Sequence, residues 1–393
     1  MAPEINFNDT EIAFKSKSDG DLSFSIFIFK MMGKPFIVKV GTQLTLLALK
    51  LHLPIQGLIR KTIFRQFCGG ETIKDCTEPF EFLKSNRIEA ILDYSVEGQE
   101  REKDLDATQS ELLKLIVNAK KCAKDPTTCM KLTGLARFNL LVKTNANEKL
   151  SEKETEEYKR FHERVDEICK KAFEEGVKIY IDAEDSWIQD TIDALAEEMM
   201  WKYNKERAIV FTTAQLYRHD RLAYLKDLTQ RCKNDGIVLG VKLVRGAYME
   251  KERERAKEKK YQDPIQPDRA STDRDYNAAL DWVVEHIEHL EVCAGTHNAQ
   301  SCQHLSAKMK SAGLEKFHPH IYFSQLYGMS DNLSFILASS GYNVSKYLPY
   351  GPVKSTLPYL IRRAEENTSV AGQMSKELTL LISEKARRKS LNR

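Results

Sequence analysis

Eight short apolar runs, each separated from the next by a longer charged segment, recur along the chain from residue 88 onward. The segments between them have the spacing of amphipathic helices. Strands that are apolar on both faces are typical of parallel sheets covered by helices. The runs are IEAILDYS (88–95), CMKLTGL (129–135), KIYIDAE (178–184), AIVFTTAQ (208–215), VLGVKLVRGA (238–247), EVCAGTHN (291–298), IYFSQLYGM (321–329) and VSKYLPYG (344–351).

This alternation predicts an α/β fold, a (βα)8 TIM barrel, because eight strand and helix units fit the length available. An open doubly wound sheet is the alternative. We expect a helical N-terminal arm over residues 1–87, the barrel over 88–375 and a helical, basic tail over 376–393. The apolar stretches at 22–29 and 44–53 are shorter than the roughly 20 residues of a membrane crossing. We interpret both as packed helices rather than as a membrane-surface patch.

The charge balance excludes one large class of partners. Lys and Arg number 60 against 57 Asp and Glu, and the two signs are interspersed along the chain. A nucleic-acid partner would need a concentrated basic surface, so none is expected. The eight cysteines show no C-x-x-C spacing, which indicates free thiols in a reducing compartment. The N-terminal residues lack the basic segment of a secretory signal and do not read as a transit peptide as they stand.

Polar residues gather at the carboxyl ends of the predicted strands, where barrels of this kind build their active sites. Each one alone could simply cap the following helix. Together they would be costly to bury without a ligand that satisfies them, so we expect one binding site. Lys131, which we place inside the second strand, needs a partner such as a carboxylate. The polar residues are Asp182, Glu184, Gln215, Arg245, Tyr248, Thr296, His297, Asn298, Gln325, Tyr327, Tyr347 and Tyr350.

Other kinds of catalytic site lack support in the sequence. The chain contains no G-x-S-x-G, H-E-x-x-H, P-loop or G-x-G-x-x-G pattern. The pair His318 and His320 precedes the seventh run, at the end of the barrel opposite the expected active site, so no metal is expected. A Schiff-base lysine at Lys131 or Lys242 remains an alternative.

Two adjacent arginines, Arg362 and Arg363, lie in the segment PYLIRRAEEN, which predicts a helix that starts at Pro358. Neighbours on a helix point about 100° apart. If Leu360 and Ala364 face inward, at most one arginine can face the solvent, so we expect the other to point into the protein. The pair is either a solvated charged face or an anion clamp, since guanidinium groups bind carboxylates and phosphates bidentately.

Six motifs in a fixed order resemble the catalytic domain of the proline dehydrogenase family. They are YIDAE, VKLVRGAYMEKERERA, GTHNA, YFSQLYGM, KYLPYGPV and YLIRRAEEN. The segments IEAILDYSVEG and MKLTGL extend the match towards the N-terminus, so the resemblance covers roughly residues 88–370. It implies a distorted (βα)8 barrel, a tightly bound FAD and the oxidation of L-proline to Δ1-pyrroline-5-carboxylate, the first step of proline catabolism to glutamate. Hydride would pass from proline C5 to flavin N5, and the electrons would go to a quinone.

The resemblance also implies a role for each matching residue. Arg362 and Arg363 match paired arginines on a last helix that lies across the barrel mouth and binds the proline carboxylate. Lys242 matches a basic residue near flavin N5 that is Arg in other members. No residue is identified as the base. The residues that would line the substrate are Lys131, Asp182, Ala247, Tyr248 and Tyr347. Those that would contact FAD are Gln215, Lys242, Val244, Gly246, Thr296, His297, Asn298, Gln325 and Glu366.

Substrate, compartment and membrane contact remain open at this point. A hydroxyproline dehydrogenase is the neighbouring alternative, although the bulk of Tyr347 favours proline. Because the family's quinone lies in a membrane, the resemblance implies peripheral membrane association. The basic segment EKARRKSLNR is either a mobile tail or a weak membrane-surface contact. The resemblance fits two locations: a bacterial cytoplasm, or the mitochondrial matrix and inner membrane with the transit peptide absent.

Overall fold

The computed structural model describes residues 5–51, 53–96, 98–369 and 373–391. Eight strands follow one another in chain order around a closed barrel, so the alternative of an open doubly wound sheet is wrong. One strand lies in each of the eight apolar runs. The strands are β1 (Ile88–Tyr94), β2 (Thr127–Met130), β3 (Lys178–Ile181), β4 (Val210–Gln215), β5 (Leu239–Val244), β6 (Leu290–Gly295), β7 (Ile321–Leu326) and β8 (Val344–Tyr350).

Helices connect the strands, as the amphipathic segments predict. The helices of the first 87 residues are α1 (Thr10–Phe14), α2 (Asp19–Met32), α3 (Pro35–Lys50), α4 (Gln56–Ile59), α5 (Arg65–Phe67) and α6 (Thr77–Ser85). Those that follow are α7 (Glu102–Cys122), α8 (Phe138–Asn145), α9 (Glu152–Glu175), α10 (Ser186–Tyr203), α11 (Arg221–Asp235), α12 (Met249–Lys259), α13 (Arg269–Glu285), α14 (Ala299–Ser311), α15 (Asp331–Ser339), α16 (Val353–Ser369) and α17 (Gln373–Leu391).

The residues group into two compact units. The first unit comprises Met1–Ala90, His297–Ala299 and Ser324–Arg393, and the second comprises Ile91–Thr296 and Gln300–Phe323. We describe each unit separately.

Parallel pairing in the second unit fixes which residues lie side by side. Gln215 at the end of β4 pairs with Val244 of β5, and Leu243 of β5 pairs with Ala294 of β6. β2 ends at Met130, earlier than the sequence predicts, so the placement of Lys131 inside this strand is wrong. The chain turns there into a 3-10 segment over Leu132–Gly134. In this segment the amide and the hydroxyl of Thr133 donate to the carboxylate of Glu184.

The two apolar stretches of the first unit behave differently. In α2, Leu22 and Phe29 are fully buried, as expected of a packed helix. In α3, Phe36, Leu44 and Leu47 are exposed, so the interpretation of the second stretch as a packed apolar helix is wrong. The reason is that α3 packs against α2 and α16 with its other side and leaves this stripe outside.

The C-terminal residues form α17, which packs against α1 and α2 of the same unit. Its arginines Arg387 and Arg388 both bond to the buried carboxylate of Glu384. Part of the charge of this basic segment is thus paired within the protein, and its contact with a membrane stays a prediction. In the residues that the structure describes, no helix combines the length and apolar character that a membrane crossing requires.

The arginine pair lies on α16, which begins at Val353, before the predicted start at Pro358. Pro358 lies inside this helix, where it lacks the amide hydrogen of an ordinary residue. Because α17 follows, α16 is not the last helix, and its position across the barrel mouth stays a prediction. The segment before α6 also joins the sheet, since Gly69 donates its amide to the carbonyl of Pro349 in β8.

Candidate active site

Two lysines and two aspartates meet near the carboxyl ends of β1, β2, β3 and β5 in the second unit. Asp182 follows β3 and bridges both lysines: its Oδ1 lies 2.5 Å from Nζ of Lys242, and its Oδ2 lies 3.3 Å from Nζ of Lys131. Nζ of Lys131 is also 3.6 Å from Oδ1 of Asp93, at the end of β1. We call these four residues the lysine–aspartate cluster. Lys131 thus has the carboxylate partners that its position required.

The charges of this cluster are balanced, which keeps Lys242 protonated. Burial lowers the pKa of Lys242, but the carboxylate of Asp182 outweighs burial and leaves this pKa above its ordinary value. Burial, with Asp93 and Asp182 close by, raises the pKa of the Cys129 thiol well above its usual range. A Schiff-base lysine must lose its proton to act, so this environment disfavours Lys242 as a nucleophile.

Glu184 ties together the ends of three strands. Its carboxylate accepts bonds from the amide and the hydroxyl of Thr133, after β2, at 3.1 and 2.5 Å. Its backbone carbonyl accepts a bond of 2.8 Å from Nε2 of Gln215, at the end of β4. These bonds hold Gln215, one of the predicted FAD contacts, in a fixed and buried orientation.

Arg245 positions a second predicted FAD contact, Thr296. Its Nη1 donates to Oγ1 of Thr296 at 2.5 Å, and its Nε donates to Asp273 at 2.7 Å. The guanidinium lies 4.3 Å from the ring centroid of Tyr276, and its Nη2 donates to Ser301 at 2.9 Å. Arg245 therefore holds the hydroxyl of Thr296 in position.

The chain after β5 makes a close approach that only glycine permits. Gly246 has a φ of +134°, and a Cβ atom there would lie 2.4 Å from the ring of Tyr217. Among the described residues, the buried phenol oxygen of Tyr217 has no hydrogen-bond partner. Val244, Ala247 and Tyr248, the other predicted residues of this segment, are half-buried. At Gly246 the backbone is therefore exposed, without a side chain, beside the ring of Tyr217.

In the first unit, three predicted FAD contacts lie near the carboxyl ends of strands. Nδ1 of His297 is 2.9 Å from Oγ of Ser330, whose amide donates to Glu377 at 2.9 Å. Oε1 of the buried Gln325 accepts a bond of 2.7 Å from Ser334. Asn298, the third, is half-buried next to His297.

The predicted substrate residues of the first unit lie on β8 and α16. Tyr347 is buried, and its carbonyl accepts the amide of Tyr327. Arg363 is only 6 % exposed, and its guanidinium lies 5.1 Å from the ring centroid of Tyr359. Arg362 is half-buried, so the prediction that one arginine points inward is confirmed. Glu366 lies within α16, and its side chain is outside the described part of the structure.

The sequence of this chain matches a known family over most of its length. Residues 76–376 match the profile of the family described as "Proline dehydrogenase". The chain belongs to the proline dehydrogenase family. It is accordingly an oxidoreductase, and the resemblance on which the residue roles depend is confirmed at the level of the family.

Individual proline dehydrogenase relatives cover nearly the whole chain. The "Proline dehydrogenase 1, mitochondrial" of Dictyostelium discoideum is 34 % identical, over 97 % of this chain and 74 % of its own. The "Hydroxyproline dehydrogenase" of Xenopus laevis is 30 % identical, over 98 % of this chain and 90 % of its own.

A crystal structure of proline utilization A from Bdellovibrio bacteriovorus shares the fold. It has a TM-score of 0.72 at 19 % sequence identity and covers 97 % of this chain. This chain spans only 39 % of that much longer one. The likeness supports the proline dehydrogenase barrel and, at this identity, nothing finer.

Sequence reasoning missed two features of this proline dehydrogenase. Asp93 closes the lysine–aspartate cluster, and its position at the end of the first apolar run was a sufficient signal to include it. The missed partners of Arg245 lie on α13 and α14, far from it in sequence, so no local pattern could have indicated them.

Proposed function

We propose that this proline dehydrogenase oxidises L-proline to Δ1-pyrroline-5-carboxylate, with FAD as its cofactor and a quinone as its electron acceptor. The observation that carries the proposal is the lysine–aspartate cluster, whose residues lie at the strand ends where the family's motifs predict the substrate and the flavin. The reaction needs no nucleophile from the protein, only a cofactor and a substrate held close together.

The residues of the second unit fit a flavin. The backbone at Gly246 has no side chain to obstruct a planar ring system, and the protonated Lys242 favours negative charge nearby. Gln215 and Thr296 are held in place by Glu184 and Arg245. When bound, FAD supplies the acceptor for the hydride that leaves proline.

The chain's own residues would bind and orient the substrate. We assign the carboxylate of proline to Arg362 and Arg363, because guanidinium groups bind carboxylates bidentately and Arg363 is held on the face of Tyr359. We assign the sides of the ring to Ala247, Tyr248 and Tyr347, with Lys131 and Asp182 nearby. Restricting the ring in this way would supply much of the rate enhancement.

We further propose that the acceptor quinone resides in a membrane, which requires peripheral contact between the protein and a bilayer. The relative from Dictyostelium discoideum is named as mitochondrial. By analogy we propose the mitochondrial matrix face of the inner membrane if the protein is eukaryotic, and the cytoplasmic face of the membrane if it is bacterial.

The test is an absorption spectrum of the purified protein before and after anaerobic addition of L-proline. We expect flavin bands that bleach with proline, and the cyclic imine trapped with o-aminobenzaldehyde in an amount equal to the flavin reduced. A colourless protein that takes up no FAD would contradict the cofactor. A flavoprotein that proline leaves oxidised would contradict the substrate.

Hydroxyproline is the second candidate substrate, favoured by the relative from Xenopus laevis. A ring hydroxyl needs space and a polar partner, and the buried Tyr347 offers bulk on this side. We expect kcat/KM to be higher for proline, and Tyr347→Ser to move the ratio towards hydroxyproline. A ratio that does not change would show that Tyr347 is not against the ring.

A further inference from the structure

The first unit carries an apolar stripe on the outer side of α3. At about 100° per residue, Phe36, Val40, Leu44, Leu47 and Leu51 lie within about 80° of one another on the helix surface. The exposed fraction is 78 % for Phe36, 60 % for Leu44 and 51 % for Leu47. We call these five residues the α3 stripe. Soluble proteins rarely leave so much contiguous apolar surface uncovered without a partner for it.

Exposed apolar side chains concentrate around this stripe. In the part of the chain that the structure describes, nine of the sixteen large apolar residues that are exposed fall between Phe27 and Leu58. Exposed apolar residues scattered singly over a surface would need no explanation. Clustered in one stretch of the chain, from α2 through α3 to α4, they indicate a surface that is covered by a partner.

The charges near the stripe indicate the chemistry of the partner that covers it. No Asp or Glu occurs between Asp21 and Glu71, although acidic residues number 57 in the whole chain. The same interval contains seven basic residues, of which two, Arg60 and Arg65, pair with Glu71 and Asp21 at its ends. The other five are Lys30, Lys34, Lys39, Lys50 and Lys61. An interval with cations and no anions repels basic partners and attracts a negatively charged surface.

The lysines on α3 itself are placed for such a surface. Lys39 and Lys50 project on one side of the stripe, about 100° and 80° from its centre. Both are exposed, as is Lys34 before the helix. Among the described residues, none of the three takes part in an ion pair, so their charge is available to a partner. Leucines and a phenylalanine on one side with lysines at the edge are typical of helices that lie in a membrane interface.

We propose that α3 is an interfacial helix that docks this protein on an anionic lipid bilayer. The stripe enters the boundary between headgroups and acyl chains, and the flanking lysines contact lipid phosphates and carboxylates. The inference names the surface and the lipid class for the membrane contact in the proposed function. It rests on that function only for its purpose, because lipid binding needs neither flavin nor proline.

Docking there also bears on the substrate site. α3 packs against α16 through its other side, and α16 carries Arg362 and Arg363. A bilayer bound to the stripe would therefore lie one helix away from the residues assigned to the proline carboxylate.

The test measures binding of the full-length protein to sedimented vesicles of phosphatidylcholine, with and without phosphatidylserine. We expect binding to the anionic vesicles that weakens as salt is added, since surface charges are screened. Leu44→Asp combined with Leu47→Asp should abolish binding. Lys39→Gln and Lys50→Gln should each weaken it about fivefold. All four side chains are exposed, so proline oxidation with a soluble acceptor should be unchanged.

A matched pair of variants separates docking from general stickiness. Phe36→Ser removes an aromatic ring from the stripe, and Phe317→Ser removes a ring that is 65 % exposed in the second unit. We expect only Phe36→Ser to weaken binding. The inference is overturned if both variants bind equally, if neutral vesicles bind as well as anionic ones, or if the stripe variants dissociate a dimer while vesicles never bind. If the native protein binds the anionic vesicles but does not oxidise proline, the proposed function is contradicted and the docking inference stands.

Discussion

Replacing Asp182 with Asn tests the lysine–aspartate cluster most directly. Asp182 is a carboxylate that contacts both lysines, at 2.5 Å from Lys242 and 3.3 Å from Lys131. The variant would keep both positive charges and would lose this carboxylate, while Asp93 remains 3.6 Å from Lys131. Removing one partner of a buried ion pair costs about 3 to 5 kcal/mol. Because the three side chains remain 10 to 12 % exposed, we expect the lower end, about 3 kcal/mol at neutral pH.

The cost should depend on pH in a direction that the structure fixes. Burial lowers the pKa of Lys242, and Asp182 raises it to above its ordinary value. In the native protein this pair therefore stabilises the fold below the ordinary lysine pKa, and its effect is lost as the pH rises through the folded pKa. In Asp182→Asn the raising influence is gone and burial remains, which lowers the pKa of Lys242. The folded variant then releases a proton more readily than its unfolded chain. Its deficit in unfolding free energy should shrink as the pH rises from about 7 to about 10.

The assay is urea unfolding of the flavin-free protein, followed by circular dichroism at these two pH values. Glu285→Gln is the matched control, since Glu285 forms an exposed pair with Lys308 at 2.8 Å. It should change the unfolding free energy by less than about 1 kcal/mol at either pH. A cost for Asp182→Asn as small as that of the control, or one that does not vary with pH, would refute the reasoning.

Three further outcomes follow from single side chains. Arg363→Met should raise the KM for proline by the equivalent of about 2 to 5 kcal/mol, because a buried carboxylate loses a partner, and an unchanged KM in steady-state kinetics would exclude the clamp. Gly246→Ala should reduce the flavin content of the purified protein, because its Cβ would meet the ring of Tyr217, whereas Gly236→Ala, with φ of +67° but open space, should retain flavin. Burial and a neighbouring carboxylate raise the pKa of Glu377 to about 7, so the stability it contributes while protonated is lost as the pH rises through that value. In thermal melts, the melting temperature of Glu377→Gln should therefore rise relative to that of the native protein between about pH 5 and 8. A difference in melting temperature that does not change with pH would contradict this.

The strands and the site on the second unit were accessible from sequence for a physical reason. A strand buried on both faces must be apolar throughout, so a polar residue at its end stands out, as Asp182 and Gln215 do. The inward arginine was predictable in the same way, because Leu360 and Ala364 occupy the inner face of α16 and leave little room for two solvent-facing neighbours.

The wrong predictions for α3, β2 and α16 have a common origin: the spacing of residues along the chain does not show which contacts an element makes with distant segments. The apolar residues of α3 have helical spacing, which predicts a helix correctly, but spacing does not say whether a second element covers them. β2 ends early because Thr133 bonds to Glu184, which is distant in sequence. The start of α16 was placed too late because proline is common at helix starts and here lies in the interior.

A second buried ionic group, in the first unit, shows why burial of charge alone does not identify a site. Nζ of Lys346 donates to the carbonyls of Leu326 and Met329 and to Asp331, at 3.2, 2.5 and 2.8 Å, which uses all three ammonium protons. Lys346 is only 1 % exposed, whereas the lysines of the second unit remain 11 and 12 % exposed at strand ends. A lysine that is sealed and fully bonded cannot meet a ligand, so its role is to hold β7, β8 and α15 together. Residual exposure at the carboxyl ends of strands, in addition to charge, separates the group that can bind a substrate from the one that stabilises the fold.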